Sequence, residues 1–263
     1  MENLSTTQSQ LLDIFNYIKP EFPKNCIFNI SPSQIGNFFA YPKIWYEDNL
    51  TNNEPSFKGN TSSVLGSICH YIYRTYMEGY KPTREDINNA LEAYNKQNQA
   101  LELNVEAIKQ DWPLVVTEVM NSYVVPNSQR GRIKVEEPVI AHIKNGIYVG
   151  GTYDRLEGDC IVDYKTVSVK PNEQSIPFNY KIQTLAYAYA LRVNGYEVNR
   201  IRIVYGVRPT KTIPARCIVV TENIDFEAEK LINNTLQLIA DTVITVKENP
   251  ELIYLLFKSM DLK

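Results

Sequence analysis

The segment Gly150-Gly151-Thr152-Tyr153-Asp154-Arg155-Leu156, followed after a short turn by Cys160-Ile161-Val162-Asp163-Tyr164-Lys165-Thr166, sets two acids and a lysine on what read as adjoining strands. Ile161, Val162 and Tyr164 mark a β segment. Side chains alternate faces along a strand, so Asp163 and Lys165 share one face while Val162 and Tyr164 share the other. Glu157-Gly158-Asp159 reads as the turn before it. The preceding strand, roughly Ile147 to Leu156, follows Asn145-Gly146, a dipeptide suited to a type I′ hairpin turn, and Asp154 falls at its end. Two carboxylates this close repel, and one takes up a proton unless a cation lies between them. Hard oxygen donors point to magnesium or manganese rather than zinc. An ammonium group two residues beyond the second acid can orient and help deprotonate an attacking water, or offset charge developing on a phosphate. That is the chemistry of phosphodiester hydrolysis. Taken alone, the three residues also fit an ordinary strand with its polar side chains in solvent.

Two helices add to the pattern. From about Phe178 to Asn194, Ile182, Leu185, Ala186, Tyr189, Ala190 and Val193 recur at helical spacing and Gly195 supplies a C-cap; Gln183 and Tyr187 lie at i and i+4 on one face. A second helix, about Val64 to Met77, begins after Ser62-Ser63. It carries His70, one of 2 histidines in the chain, among Ile68, Ile72 and Tyr73.

The ordered set of a helical His70, Gly-x-x-Asp-Arg-Leu at Gly151 to Leu156, apolar-apolar-Asp-Tyr-Lys-Thr at Ile161 to Thr166, and Gln-x-x-x-Tyr at Gln183 and Tyr187 resembles the RecB-type nucleases of the PD-(D/E)XK superfamily. Ile30-Ser31-Pro32-Ser33-Gln34-Ile35 through Tyr41-Pro42-Lys43-Ile44-Trp45-Tyr46 is similar to the opening signature of that group. The resemblance covers roughly residues 30 to 208. It implies an α/β restriction-endonuclease-like core, with a central mixed sheet flanked by helices and a helical insertion. It also implies roles: Asp154 and Asp163 as catalytic metal ligands, Lys165 as the catalytic residue that activates or orients water, and His70 as a further ligand. The Tyr164 carbonyl oxygen would face the metal, and Gln183 and Tyr187 would brace the site or touch the phosphate backbone. A core histidine accounts equally for His70, and an amphipathic helix face for Gln183 and Tyr187.

The implied cofactor is Mg²⁺ or Mn²⁺ and the implied partner is DNA. Some relatives carry an iron–sulfur cluster, but Tyr41 stands before Pro42 where its first cysteine would be. Cys26, Cys69, Cys160 and Cys217 are scattered without C-x-x-C spacing, so no iron–sulfur cluster is expected, and no disulfide framework either. The relatives act in DNA recombination, repair and adaptation, many as exonucleases. No Walker A loop is present, so a helicase or other recombination protein would be a separate chain.

At 263 residues and 44% hydrophobic content, the chain can bury a sizeable core. The expected division is an N-terminal extension over 1–29, a nuclease core over 30–222 with a helical insertion at about 82–125 flanking the nucleic-acid channel, and C-terminal helices over 223–263. No apolar run reaches membrane-spanning length, and Met1 to Gln10 is polar. A cytoplasmic protein of a bacterial cell is expected, phage-encoded origin being compatible with the Asn-, Ile- and Tyr-rich composition.

The net charge of −3 runs against strong non-specific phosphate binding, although Arg130, Arg132, Lys134, Arg200, Arg202, Arg208 and Lys211 offer local basic groups. A catalytically weak DNA- or partner-binding module is therefore the alternative reading. Among 18 tyrosines, Tyr71, Tyr73, Tyr76 and Tyr80 are candidates for base stacking or for the core.

Further elements are expected as follows. A short helix lies near Gln8 to Ile18, and a polar loop runs from Thr51 to Ser63. A helix capped by Thr83 and Asp86 runs to about Gln97, and another spans Val105 to Val124 with a break at Asp111-Trp112-Pro113. Gly131 to Ile143 reads as one strand, with Glu136 and Glu137 either at the site or, more simply, on a solvated edge. Strands follow at Arg200 to Val207 and Cys217 to Val220, then helices at Asp225 to Val246 and Pro250 to Met260.

Overall fold

The computed structural model describes Ile14 and residues 18–51, 59–123 and 133–252. Arg130, Arg132, most of the Gln8 to Ile18 helix, most of the Thr51 to Ser63 loop and most of the Pro250 to Met260 helix lie outside them. Along the chain come β1 (Phe28–Ile30), α1 (Ile35–Ala40), α2 (Pro42–Leu50), α3 (Thr61–Met77), α4 (Arg84–Gln97) and α5 (Val105–Ser122). These are followed by β2 (Ile133–Val135), β3 (Pro138–Lys144), β4 (Ile147–Thr152), β5 (Arg155–Glu157), β6 (Cys160–Val167), α6 (Phe178–Val193), β7 (Arg200–Val207), β8 (Arg216–Asn223) and α7 (Phe226–Glu248).

Asn145 and Gly146 both take positive φ, 46° and 75°, and close the β3–β4 hairpin as the sequence predicts. The long arms of that hairpin, read from sequence as single strands, each divide in two. Glu136 adopts a left-handed φ of 45°, and the residue before Pro138 is confined to extended backbone, so the chain turns out of line between β2 and β3. The opposite arm breaks at the same level: Glu136 N–H donates to the Asp154 carbonyl at 3.0 Å and Tyr153 N–H to the Glu137 carbonyl at 3.4 Å. The mixed sheet is consequently two sheets, one in the order β1-β4-β3 and one in the order β2-β5-β6-β7-β8. Both combine parallel and antiparallel pairs, with β1 parallel to β4 and β6 parallel to β7.

The β6–α6–β7 crossover covers one face of the five-stranded sheet. There Ile161, Ile203 and Tyr205 pack with Leu185 of α6 and with Leu236 and Ile239 of α7. Cys160, Val162, Tyr164 and Val204 face the other way, into a second core made with Ile68, Leu91 and Val115 of α3, α4 and α5. The predicted alternation across Asp163 is thus realised. Burying a side chain such as Leu185, at 1% exposure, makes truncation to alanine cost about 2–5 kcal/mol.

Two helix starts follow from capping. Asn60 accepts the Ser63 N–H, a cap that begins α3 three residues earlier than Ser62-Ser63 suggests, and Thr83 and Asp86 form the predicted reciprocal box. The expected break at Pro113 does not occur, and α5 runs through it. Proline deprives the Lys109 carbonyl of its helical partner, and Arg84 Nη2 approaches that oxygen at 3.5 Å instead. Strand β8 is longer than Cys217 to Val220 because it pairs with β7 along its whole length, Arg200 opposite Asn223 to Val207 opposite Arg216.

Candidate active site

Asp154 sits at the break between β4, which ends at Thr152, and β5, which begins at Arg155. Its Oδ2 accepts the Tyr164 backbone N–H at 2.7 Å, and its Oδ1 lies 3.4 Å from His70 Nδ1. Asp163, on β6, is 3% exposed. Lys165 Nζ stands 2.8 Å from Asp163 Oδ2 and 3.0 Å from Oδ1. Gln183, from α6, completes a ring: its Nε2 donates to Asp163 Oδ1 at 3.2 Å and its Oε1 accepts from Lys165 Nζ at 3.2 Å. Tyr187, one turn further along α6, lines the same cavity. The structure therefore brings His70, Asp154, Asp163, Lys165, Gln183 and Tyr187 together.

Gly151 makes part of this possible. A Cβ there would lie 2.9 Å from Tyr187 Oη and 3.4 Å from Pro32 Cδ, so the β4 backbone can approach the tyrosine only without a side chain.

Electrostatics follow from burial among opposite charges. Burial pushes the Asp163 carboxyl up to about 6, with Asp154 adding to the rise and Lys165 opposing it. Burial acts the same way on Asp154, but His70, Lys165 and the Tyr164 N–H outweigh it and hold that carboxyl below its ordinary value. His70 and Lys165 are both raised despite burial, His70 by Asp154 and Lys165 by Asp163 and then Asp154. Lys165 thus pairs with Asp163, and the His70 imidazole lies against Asp154.

The sequence reads Glu136 chiefly as a solvated edge residue, and the structure corrects this. It is 8% exposed, pairs with Arg74 at 2.7 Å and lines the same cavity as His70 and Asp154. The signal in the sequence is Arg74 itself, four residues after His70 and hence on the same face of α3. Several expected basic groups are neutralised: Arg200 pairs with Asp159, Arg202 with Glu157 at 3.0 Å and Arg208 with Asp111 at 2.7 Å. Tyr71 and Tyr73 are core residues, whereas Tyr76 and Tyr80 are exposed.

The sequence matches the PD-(D/E)XK nuclease superfamily over residues 29–250. The chain belongs to that superfamily. The overall fold is shared with a solved structure. The crystal structure of a proposed exonuclease from Eubacterium rectale aligns at a TM-score of 0.53 and 15% identity, over 94% of this chain and 87% of that one. The crystal structure of SSO0001 aligns at a TM-score of 0.34 and 13% identity, over 88% and 84%. No curated protein matches the sequence. Among the described residues no helix is long and apolar enough to cross a membrane.

PD-(D/E)XK nucleases use divalent metal ions, and the donors present here fit one. Asp154, Asp163, the His70 imidazole and the Tyr164 carbonyl, the ligands expected from the sequence, would offer mainly hard oxygen donors. Among the described residues no three His, Cys, Asp or Glu side chains already stand gathered as ligands. The imidazole and the ammonium hold the acid oxygens instead. Asp163 Oδ2, sealed from solvent, accepts no well-aligned hydrogen bond even with Lys165 beside it. The Lys165 ammonium, 2.8 Å away, is the cation that oxygen now faces, and a metal ion would share that role.

Proposed function

We propose that this PD-(D/E)XK nuclease hydrolyses DNA phosphodiester bonds with Mg²⁺ or Mn²⁺, acting as an exonuclease in recombination, repair or phage DNA processing. The observation that carries the reading is the convergence of Asp154, Asp163, Lys165 and Gln183, with His70, on one cavity. Asp154, Asp163, His70 and the Tyr164 carbonyl would hold the ion. When bound, the ion neutralises charge on the phosphoryl oxygens and acidifies water. Asp154 accepts the Tyr164 backbone N–H, which holds its carboxylate against β6 beside Asp163. Lys165, steadied by Asp163 and Gln183, orients the attacking water and offsets charge that builds on the phosphate. The Gln183 amide holds the lysine and the acid at a fixed separation. Unwinding would fall to a helicase or another recombination protein.

A second reading, a catalytically silent nuclease fold that binds DNA or a partner, is favoured by the net charge of −3 and by the pairing of Arg200, Arg202 and Arg208 with acids. One experiment separates them. End-labelled linear and covalently closed circular DNA are incubated with the protein in Mg²⁺, Mn²⁺ or EDTA, beside Lys165→Ala. Metal-dependent loss of the linear form alone, abolished by the substitution, is the expected result. Retention of DNA with no cleavage in either metal supports the silent reading.

A further inference from the structure

Two unfavourable features meet at Glu136. Its φ of 45° lies in the left-handed region, which strains any residue that carries a side chain. Of the three described residues other than glycine with positive φ, Glu102 and Asn145 are exposed, and Glu136 alone is buried. Its carboxylate is enclosed as well, 2.7 Å from Arg74 Nη1, with side-chain exposures of 9% for the acid and 13% for the arginine. Desolvating such a pair offsets much of its attraction. The adjacent Glu137 has other partners, Lys134 at 2.9 Å and Tyr153 Oη at 3.1 Å. Strain kept at a buried position gathers where function requires it, and Glu136 borders the acids of the site.

Both ends of Glu136 lead into that site. Its N–H donates to the Asp154 carbonyl at 3.0 Å, and its carboxylate holds Arg74, four residues after His70 on the same face of α3. A cavity of about 10 Å³ lies between them, lined by His70, Arg74, Glu136, Asp154, Arg155 and Tyr164, with room for about one water. His70 rides on a helix that packs into the second core through Ile68 and Ile72, whereas Asp154 belongs to a break between strands. Their direct contact, Nδ1 to Oδ1, is 3.4 Å, beyond the usual range of a hydrogen bond, so the elements that carry them set the separation. We propose that Glu136 is a positioning residue of the nuclease site: with Arg74 it braces α3 against the Asp154 backbone and fixes the spacing of His70 and Asp154, a role that rests on the nuclease reading above. The carboxylate, held by Arg74, acts through that helix and not on the reacting atoms.

The test removes the pair whole, so that no charge is left buried alone. Arg74→Met combined with Glu136→Gly also relieves the left-handed backbone, and the double variant is expected to melt no lower than its parent. Calorimetric titration with Mn²⁺ should nevertheless show affinity lower by about tenfold or more, as for loss of a group that orients a ligand. On a short labelled DNA, kcat should fall with KM little changed. Nuclear Overhauser contacts report the displacement without metal. Those between the rings of His70 and Tyr164, centred 6.3 Å apart, should weaken, while those between His142, the other histidine of the chain, and Tyr148, at 5.0 Å, should persist. Glu136→Gln keeps an acceptor for Arg74 and the backbone contact; it should lose less of each, and it carries the test if the double variant melts early. Unchanged Mn²⁺ affinity in both variants overturns the proposal, as does a loss confined to temperatures at which the variant is unfolding. If neither parent nor variants bind Mn²⁺, the ring contacts decide: their loss in the variants upholds the brace and counts against the nuclease reading alone, and their survival overturns the brace as well.

Discussion

Asp154 accepts the backbone N–H of Tyr164 at 2.7 Å, fastening the acid at a strand break to the residue that lies between Asp163 and Lys165. The tyrosine side chain, on the opposite face of the sheet, accepts a hydrogen bond from Arg155 Nη1 at 2.7 Å, and Arg155 is the residue after Asp154. The two strands are thereby clasped twice, once on each face. Neither acid can shift along its strand without breaking a buried hydrogen bond.

Asp154→Asn preserves the shape of that clasp and removes one anionic donor. In the protein as it stands, saturating Mg²⁺ or Mn²⁺ is expected to raise the melting temperature, since a ligand at a hundred times its Kd stabilises by about 2.7 kcal/mol. The variant should lose most of that shift and its nuclease activity together. A metal-induced shift that survives in Asp154→Asn would falsify the assignment of this residue as a ligand.

Gln183 touches both Asp163 and Lys165, at 3.2 Å each, and acts by holding them. Gln183→Leu keeps the volume and removes both hydrogen bonds. Loss of a partner that orients a ligand costs about 10–100-fold in activity or metal affinity. The expected signature is a fall in kcat with KM for DNA little changed, measured on a short labelled substrate. A rise in KM at constant kcat would mean that the amide contacts DNA instead.

Much of this site was legible because its chemistry is carried by short-range patterns. Alternation placed Asp163 and Lys165 on one face, and the i, i+4 rule paired Gln183 with Tyr187. The capping residues Thr83 and Asp86 fixed the start of α4. The splitting of the sheet was not legible, because it depends on a left-handed Glu136 and on bonds between residues far apart in sequence, Glu136 with Asp154 and Tyr153 with Glu137. The burial of Glu136 escapes the sequence for the same reason. A glutamate in a Glu-Glu-Pro run reads as solvated unless Arg74, some sixty positions earlier, is known to meet it. Pro113 misled in the other direction, since only the tertiary fold brings Arg84 to the carbonyl it orphans.

The Asp163 carboxyl gives a pH signature. Burial raises it to about 6, above the ordinary value, so the metal-free fold favours its protonated form. That contribution is fully present below the ordinary carboxylate pKa and is lost as pH rises through about 6. His70, Asp154 and Lys165 face the same group: His70 and Lys165 are raised by these acids despite burial, and Asp154 is lowered. In EDTA, the melting temperature should fall between pH 5 and pH 7, and Asp163→Asn should flatten that slope. Metal competes with the proton for the same oxygen, so affinity for Mg²⁺ should weaken as pH drops through about 6. Calorimetric titration in buffers of different ionisation enthalpy measures the released proton directly, and titrations that show none at pH 6 would count against this account.

Below the sheet, Glu157 is fully buried between two arginines: Arg155 Nε lies 2.9 Å from one of its oxygens, and Arg202 Nη1 lies 3.0 Å from the other, which also accepts from Tyr123 Oη at 2.7 Å. Arg155 leads from this cluster to Tyr164 and so to the clasp at Asp154. Removing the acid leaves two guanidinium groups buried without their anion, a change that costs about 3–5 kcal/mol. Glu157→Ala should therefore lower the urea midpoint strongly, whereas Glu157→Gln, which keeps an acceptor for Tyr123, should lower it less. Replacing Arg202 alone by methionine leaves the Arg155–Glu157 pair intact and should cost less than Glu157→Ala. Activity at a temperature where each variant is fully folded separates support of the fold from support of the site. If Glu157→Gln retains wild-type kcat while its stability falls, the cluster serves the sheet alone. A kcat that falls with the protein fully folded places Glu157, through Arg155 and Tyr164, among the groups that aim Asp154.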